Sequence, residues 1–212
     1  MDPTLNGGDG KIGNQVDFGC ADPSIQAIDN LKRFNIVTTY YPYGWHNADY
    51  DKDGKLLPNA SYKIKRVIGF PGEKVNLYVD NNNVCNINIT KGQSSQTFTY
   101  IDGDGWKSTV NSQEHIYKFN IKHDGITSSE PTKNFTTTLG EDEYFVMGDN
   151  WTVSSDSSTN TYLGTNSHIK KYNLQGLLVA IEGTGTITID EKGNRTVTDL
   201  KYTTPKNYYL EL

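Results

Sequence analysis

The sequence predicts a mostly β protein, because residues that favour strands outnumber the better helix formers. Its 212 residues include 14 tyrosines and 20 glycines, and Thr, Asn and Ser are abundant, whereas Ala and Leu are sparse. Short β-branched and aromatic runs alternate with Gly, Pro, Asn and Asp turn signals. A chain of this length can bury a sizeable core. The simplest architecture is one β-rich body with an inserted subdomain and few short helices.

The first forty residues combine a glycine-rich loop, one helix and the first strands. Residues 1–20 are polar and read as loop, with a short strand at 15–18. Asp22 provides an N-cap and Pro23 fits the first helical position, so a helix is predicted over residues 23–32. Residues 35–41 are β-branched and aromatic, which predicts a strand.

An acidic turn follows that strand. Residues 49–54 read DYDKDG, which fits the first half of a calcium loop. The twelfth position is Ala60, where a bidentate glutamate belongs, and no helices flank the segment. A hairpin turn is therefore the preferred interpretation.

The rest of the chain is predicted to consist of strands and turns. Alternating or compact apolar runs predict strands at residues 62–68, 75–79, 84–89, 97–101, 116–121, 143–147, 177–181, 186–189 and 195–202. The pattern is weakest between residues 90 and 140. We therefore predict a core formed by residues 1–75 and 141–212, with a β-rich subdomain inserted at 76–140.

Charge and cysteine content exclude several classes of protein. The net charge is −5 and the 20 basic residues are scattered, which argues against nucleic acid as a partner. No apolar run approaches the roughly 18 residues of a membrane span. Cys20 and Cys85 lack CxxC spacing and form either one disulfide or two free thiols. No pattern predicts a metal site.

A lysine stands inside the predicted strand 62–68. Lys65 is flanked by Ile64 and Val67, and the strand ends at the turn sequence GFPG of residues 69–72. Such a lysine is either a surface residue on an alternating strand or a desolvated amine. The composition of the strand leaves both interpretations open.

Three segments along the chain carry short motifs: residues 1–5 (MDPTL), residues 64–73 (IKRVIGFPGE) and residues 148–157 (GDNWTVSSDS). In this order they resemble the motifs of the type I signal peptidases, which are membrane-anchored serine proteases that remove signal peptides. The first matches the tail of the family's nucleophile box, SMxPTL, and the second resembles its lysine-bearing box. The third resembles its last box, GDNRxxSxDSR.

The resemblance implies a signal-peptidase-like β-sheet core and a Ser/Lys dyad that needs no cofactor or metal. The family's nucleophile is the serine just before the methionine of SMxPTL, and its general base is the lysine of the lysine box, here Lys65. A solvated lysine is protonated at neutral pH, whereas desolvation disfavours the ammonium form. An apolar strand is thus a suitable place for a base. Lys63 shares the same face by strand period but lacks the match.

The resemblance also implies roles around Lys65. Ser154 would hydrogen-bond to the Lys65 amine and orient it. Asp156 would pair with Arg66 and fix the two boxes against each other. The alternatives remain that Ser154 is a turn residue and that Asp156 and Arg66 form an ordinary surface pair.

The expected substrates are the signal peptides of exported preproteins. Residues 62–64, which begin at Tyr62, would pair with an extended substrate segment by strand addition. Ile64, Met1 and Leu5 would shape shallow apolar pockets for small side chains. The family implies a location at the cell membrane through an N-terminal anchor absent from this chain, with the catalytic domain on the extracytoplasmic side.

The sequence departs from the family at several positions. No serine precedes Met1, so this form of the chain is expected to be inactive. Trp151 and Ser158 stand where the last box has arginines, which leaves Arg66 to rely on Asp156. The alternative function is a catalytically inactive homologue that acts as an assembly or substrate-binding factor.

Overall fold

The structure is a computed structural model. It describes residue 5 and residues 11–45, 49–60, 62–82, 84–101, 105–110, 113–117, 135–149, 154–158, 167–191, 193 and 195–207. Within those strands only the backbone is described at residues 79, 85, 100, 101, 105–110, 113–117, 206 and 207.

The described residues form thirteen strands, a short α-helix and a 3-10 turn at Lys171–Asn173. The helix, α1, spans Ile25–Asp29. The strands are β1 Gln15–Asp22, β2 Ile36–Thr39, β3 Lys63–Gly69, β4 Lys74–Val79, β5 Cys85–Lys91, β6 Ser94–Ile101, β7 Gly105–Val110, β8 Gln113–Tyr117, β9 Phe135–Thr138, β10 Glu143–Met147, β11 Ile169–Lys170, β12 Leu174–Ile189 and β13 Arg195–Asn207. The mostly β prediction is confirmed. Part of the predicted strand 116–121 lies outside the described residues.

The described strands form two antiparallel sheets. The seven-stranded sheet has the order β1-β12-β2-β3-β10-β11, and β13 also pairs with β12. The six-stranded sheet has the order β8-β7-β6-β5-β4-β9, and its first strand begins at residue 74 and its last ends at residue 138. These bounds lie close to the predicted insertion at 76–140, but its standing as a separate domain stays a prediction.

Two apolar clusters cover the two sides of β3. Ile68 belongs to a cluster in which Phe145 of β10 meets residues of the second sheet, among them Val75 and Phe98. Val67, the preceding residue, belongs to a second cluster with Val37. Successive residues of a strand face opposite sides, so β3 is buried on both faces over this length. A lysine on this strand therefore starts from a largely apolar environment.

The helix is shorter than predicted and begins at a different residue. The N-cap is Ser24, whose hydroxyl accepts a hydrogen bond from Ala27 N at 3.1 Å. Asp22 Oδ1 instead accepts from Ser24 N at 2.8 Å, one step before the helix. The Asp22 carboxylate and the Ser24 hydroxyl are both residue types that cap helices. The Ser24 hydroxyl is the one that accepts from the N–H three residues later, so Ser24 is the N-cap.

The predicted helix also ends early because a side-chain turn replaces its last residues. Asn35 Oδ1 accepts from Lys32 N at 2.7 Å, and Phe34 has a φ of 68°. This conformation directs the chain into β2. Of the apolar residues at helical spacing, Ile28 is buried, whereas Ile25 is 75% exposed.

The strands predicted at 177–181 and 186–189 are a single strand, β12. The prediction was wrong because the glycines between them read as a turn. In the structure a Cβ on Gly183 would lie 2.1 Å from the Lys201 carbonyl oxygen of β13. Glycine is needed there for close approach of two strands.

The acidic segment 49–54 forms a tight turn. Asp51 Oδ1 accepts from Asp53 N and Lys55 N, each at 2.9 Å, and Tyr50 pairs with Leu56 in an isolated bridge. The hairpin-turn interpretation is therefore confirmed.

Two further features bear on the environment of the chain. Cys20 is a free, exposed thiol whose Sγ donates to Glu182 Oε1 at 3.0 Å, so the disulfide alternative is not realised. Within the described ranges, no helix has the length and apolar character needed to cross a membrane.

Candidate active site

Lys65 is a buried residue at the centre of the seven-stranded sheet. It lies on β3, where it pairs with Val37 of β2, and it is 8% exposed. Its Nζ lies 5.7 Å from the centroid of the buried Tyr41 ring. Of the two interpretations offered by the sequence, the structure supports the desolvated amine.

The surroundings of Lys65 lower its basicity. Burial is the largest effect and lowers the pKa of Lys65, and the like charge of Lys63 acts in the same direction. The carboxylates of Asp156 and Asp149 oppose this shift and raise the pKa. The lowered pKa favours the neutral amine, which is the form that can accept a proton.

Ser154 lies beside the Lys65 amine across the backbone of Gly148. A Cβ built on Gly148 would lie 2.2 Å from Ser154 Oγ and 3.5 Å from Lys65 Nζ. The Ser154 hydroxyl is buried and has no hydrogen-bond partner among the described residues, so the predicted bond to Lys65 is not formed in this structure. The two groups nevertheless border one small space, which a side chain larger than glycine would fill.

Asp156 holds the segment that carries Ser154. Its Oδ2 accepts from Gly148 N at 2.8 Å, and its Oδ1 accepts from Ser158 N at 2.9 Å and from Ser158 Oγ at 2.6 Å. Ser157 adds two bonds to Val146, one from its backbone N at 3.0 Å and one to its Oγ at 3.1 Å. Residues 154–158 are thereby fastened against the end of β10.

Arg66 pairs with a different carboxylate from the one predicted. Its Nε and NH2 donate to the two oxygens of Asp149 at 2.8 and 2.6 Å, and its NH1 donates to the Phe34 carbonyl at 2.7 Å. Asp149 was not the predicted partner, and the predicted contact between Asp156 and Arg66 stays a prediction. Met147 pairs in register with Arg66, so the chain leaving β10 carries Asp149 to the guanidinium two residues later.

The predicted substrate-contacting residues are differently exposed. Tyr62 is 58% and Ile64 is 40% exposed at the start of β3. Leu5 is 6% exposed and packs in a core cluster with Ile36 and Leu178, so it offers little surface to a substrate. Its place in a pocket stays a prediction, and Met1 lies outside the described residues.

Three contributors to this site were not predicted from sequence. Tyr41 contacts Lys65, and its hydroxyl donates to the Ser155 carbonyl, which ties the lysine strand to the serine segment. Asp149 and Gly148 both lie in the GDN part of the last box, so the motif could have identified them as site residues. No local pattern marks Tyr41, because its role depends on the packing of β2 against β3.

The burial of Lys65 predicts a pH-dependent difference between the chain and its Lys65→Met variant. The unfolded lysine has the ordinary pKa of 10.5 and the folded one a lower pKa. Between these values the unfolded chain binds more protons, so wild-type stability rises with pH. We expect the variant to be more stable at neutral pH, with a stability advantage that shrinks as the pH approaches 10.5.

Urea unfolding at several pH values measures this difference. Lys74→Met, at an exposed position of β4, is the matched control and should show no such trend. Parallel stability curves for wild type and Lys65→Met would contradict the buried amine.

Comparison with known proteins identifies the family of the chain. Residues 1–179 match the model of the family described as signal peptidase, peptidase S26. The chain is 32% identical over 106 residues to a signal peptidase I of Rickettsia prowazekii (strain Madrid E). It is 34% identical over 104 residues to a signal peptidase I of Rickettsia typhi (strain ATCC VR-144 / Wilmington). Each match covers 46% of this chain and 38% of the relative.

The family model spans both the lysine box and the last box, and the structure brings these boxes together at Lys65 and Ser154. The chain therefore belongs to the signal peptidase family, peptidase S26.

Proposed function

We propose that the full protein is a serine endopeptidase that removes signal peptides from exported preproteins by a Ser/Lys dyad. The observation that carries this proposal is the buried Lys65 amine beside the unpartnered hydroxyl of Ser154. Membership of the signal peptidase family supports the reaction class. Lys65 is the general base, and Ser154 orients it when the nucleophile is in place.

The reaction follows the general pattern of serine proteases. The nucleophile is a serine preceding Met1; its hydroxyl proton passes to the neutral Lys65 amine as its oxygen bonds to the scissile carbonyl carbon. The resulting ammonium returns the proton to the leaving amine as the peptide bond breaks. Water then attacks the acyl-enzyme with the same assistance, and the serine is regenerated.

The proposed substrate strand binds beside Ile64. Pairing of β10 with β3 ends at Met147 and Arg66. Beyond that point, β2 is the only described strand that pairs with Ile64 and Lys65. An extended peptide added there would place its scissile bond near the Lys65 amine. Ile64, with Met1 and Leu5, is proposed to accept the small side chains next to that bond.

We further propose attachment to the cell membrane through a segment upstream of Met1, with the catalytic domain on the extracytoplasmic side. Signal peptides of exported proteins are processed there, and the two relatives are named signal peptidase I. The chain spans 38% of the length of each relative, so the anchor and the substrate set are proposals.

A preprotein cleavage assay tests the function. The chain is extended by a serine before Met1 and by an apolar anchor, and a matched form carries alanine in place of that serine. We expect cleavage after the small residue of an A-x-A site with the serine form, and none with the alanine form. Absence of cleavage by a folded, membrane-inserted serine form would overturn the proposal.

The second candidate is an inactive homologue that binds preproteins or assists assembly. Trp151 and Ser158 replace the arginines of the last box, which favours this candidate. The residue before Met1 in the natural gene distinguishes the two: a serine supports the peptidase, and any other residue supports the inactive homologue.

A further inference from the structure

An exposed apolar row runs along the start of β3, on the face opposite Lys65. Ile64 is 40% and Tyr62 is 58% exposed. They are two residues apart and so share one face of the extended chain. Most large apolar side chains of β3 and β10 are buried, so the exposed Ile64 stands out on these two strands. An exposed apolar row next to a strand edge is suited to contact with side chains of an added peptide.

Tyr40 extends this row across to the neighbouring strand. Thr38 of β2 pairs with Ile64. Tyr40 follows Thr38 by two residues and Tyr62 precedes Ile64 by two, so the antiparallel register places the two tyrosines side by side. The two tyrosine rings have centroids 4.8 Å apart at an interplanar angle of 35°. The hydrogen bond with the Tyr62 side chain raises the pKa of Tyr40 to about 12, so the Tyr40 hydroxyl remains protonated at neutral pH. The two rings form an aromatic pair, and Tyr62 gives it an exposed side.

Along β3, the exposed row precedes Lys65, whereas β10 pairs with the residues after it. A peptide added beside Ile64 therefore has Lys65 on one side and Tyr62 on the other. Because a strand rises about 3.3 Å per residue, a side chain that contacts the tyrosine pair is two residues, about 7 Å, beyond the one that contacts Ile64.

We propose that Tyr40 and Tyr62 form an aromatic subsite for a large apolar or aromatic side chain of the bound signal peptide, at the fifth residue before the cleaved bond. This inference rests on the proposed function. Signal peptide cleavage sites carry small residues at the first and third positions before the bond. The two-residue period of a strand places the first, third and fifth side chains on the same face. With the third at Ile64, the fifth lies over the tyrosine pair, and the first leaves the edge of β3 where β10 begins to pair at Arg66.

The chemistry of the subsite selects its ligand. Aromatic rings favour offset or edge-to-face contact with another ring, and such a contact strengthens binding by about two- to tenfold beyond a small side chain. The fourth residue before the bond faces the other side, where Lys63 and Asp49 form an ion pair at 3.2 Å. An aromatic side chain at that position gains no comparable contact.

Fluorescence polarisation tests the subsite with the 212-residue chain, because the assay measures binding without catalysis. The probes are fluorescein-labelled peptides with alanine at the first and third positions before the bond. They carry either phenylalanine or alanine at the fifth position, and a second pair carries the same change at the fourth. We expect about two- to tenfold tighter binding with phenylalanine at the fifth position and no gain at the fourth.

Variants then locate the gain. Tyr62→Ala should abolish the preference for phenylalanine, whereas Tyr62→Phe should retain it because the ring remains. Tyr172→Ala, at a residue 75% exposed on the 3-10 turn, is the surface control and should bind like wild type. Tyr62 is itself largely exposed, so its substitution is not expected to unfold the chain.

The outcomes separate the subsite from the proposed function. Binding of both peptides with equal affinity, or a preference that survives Tyr62→Ala, overturns the aromatic subsite and leaves the peptidase proposal standing. A chain that binds none of the peptides overturns strand addition beside Ile64, and the subsite with it.

Discussion

Lys65→Met is expected to reduce preprotein cleavage by about 10²–10⁴-fold in the serine-bearing, membrane-anchored protein. A positioned general base contributes rate enhancement of this order. Methionine preserves the length and apolar stem of lysine in its buried position but cannot accept a proton. The measurement is the rate of signal peptide release at saturating enzyme, which reports the chemical step rather than binding.

Lys63→Met is the matched control, because Lys63 lies on the same face of β3 and its Nζ is 5.6 Å from the same Tyr41 ring. Its amine is paired with Asp49, so its loss should change the cleavage rate only a few-fold. The reverse result, with Lys63→Met inactive and Lys65→Met active, would show that Lys63 is the general base and that the assignment to Lys65 is wrong.

Asp149→Asn is expected to destabilise the fold by about 3–5 kcal/mol, the usual cost of removing one partner of a buried ion pair. The side chains of Arg66 and Asp149 are 4% and 1% exposed and share two hydrogen bonds. The substitution leaves the Arg66 guanidinium buried without the charge of the Asp149 carboxylate. Urea unfolding of the chain measures the loss as a lower midpoint at unchanged slope.

The control for this prediction is an exposed ion pair. Asp29→Asn removes the partner of Lys171, where the two side chains are 48% and 47% exposed. Solvent screens such a pair, so the change in unfolding midpoint should be much smaller. Similar losses for the two variants would show that burial does not set the strength of the Arg66 pair.

Strands with strong local patterns were predictable. The strand at Glu143–Met147 has the predicted bounds, because five consecutive buried residues end at a glycine. The hairpin of β4 and β5 also follows its pattern of apolar runs around an Asn-rich turn. The single strand β12 was missed because glycines needed for close strand approach look, in sequence, like glycines of a turn.

The helix illustrates a different limit. Asp22, Pro23 and Ser24 all carry start signals, and sequence does not rank them. The N-cap is the residue whose side-chain oxygen can reach a backbone N–H of the first helical turn after the chain leaves β1. The Ser24 hydroxyl reaches Ala27 N. Helix length was likewise decided by the turn that leads into β2.

The sequence by itself determined the β-rich class, the family through its ordered boxes, and Lys65 as the candidate base. These are properties of residue type and spacing along the chain. The tertiary structure decided that Lys65 is buried against Tyr41, that Ser154 lies beside it across Gly148, and that Arg66 pairs with Asp149. Ser154 and Asp149 each lie more than eighty residues from their neighbours on β3, so the register of β3 against β10 brings them together.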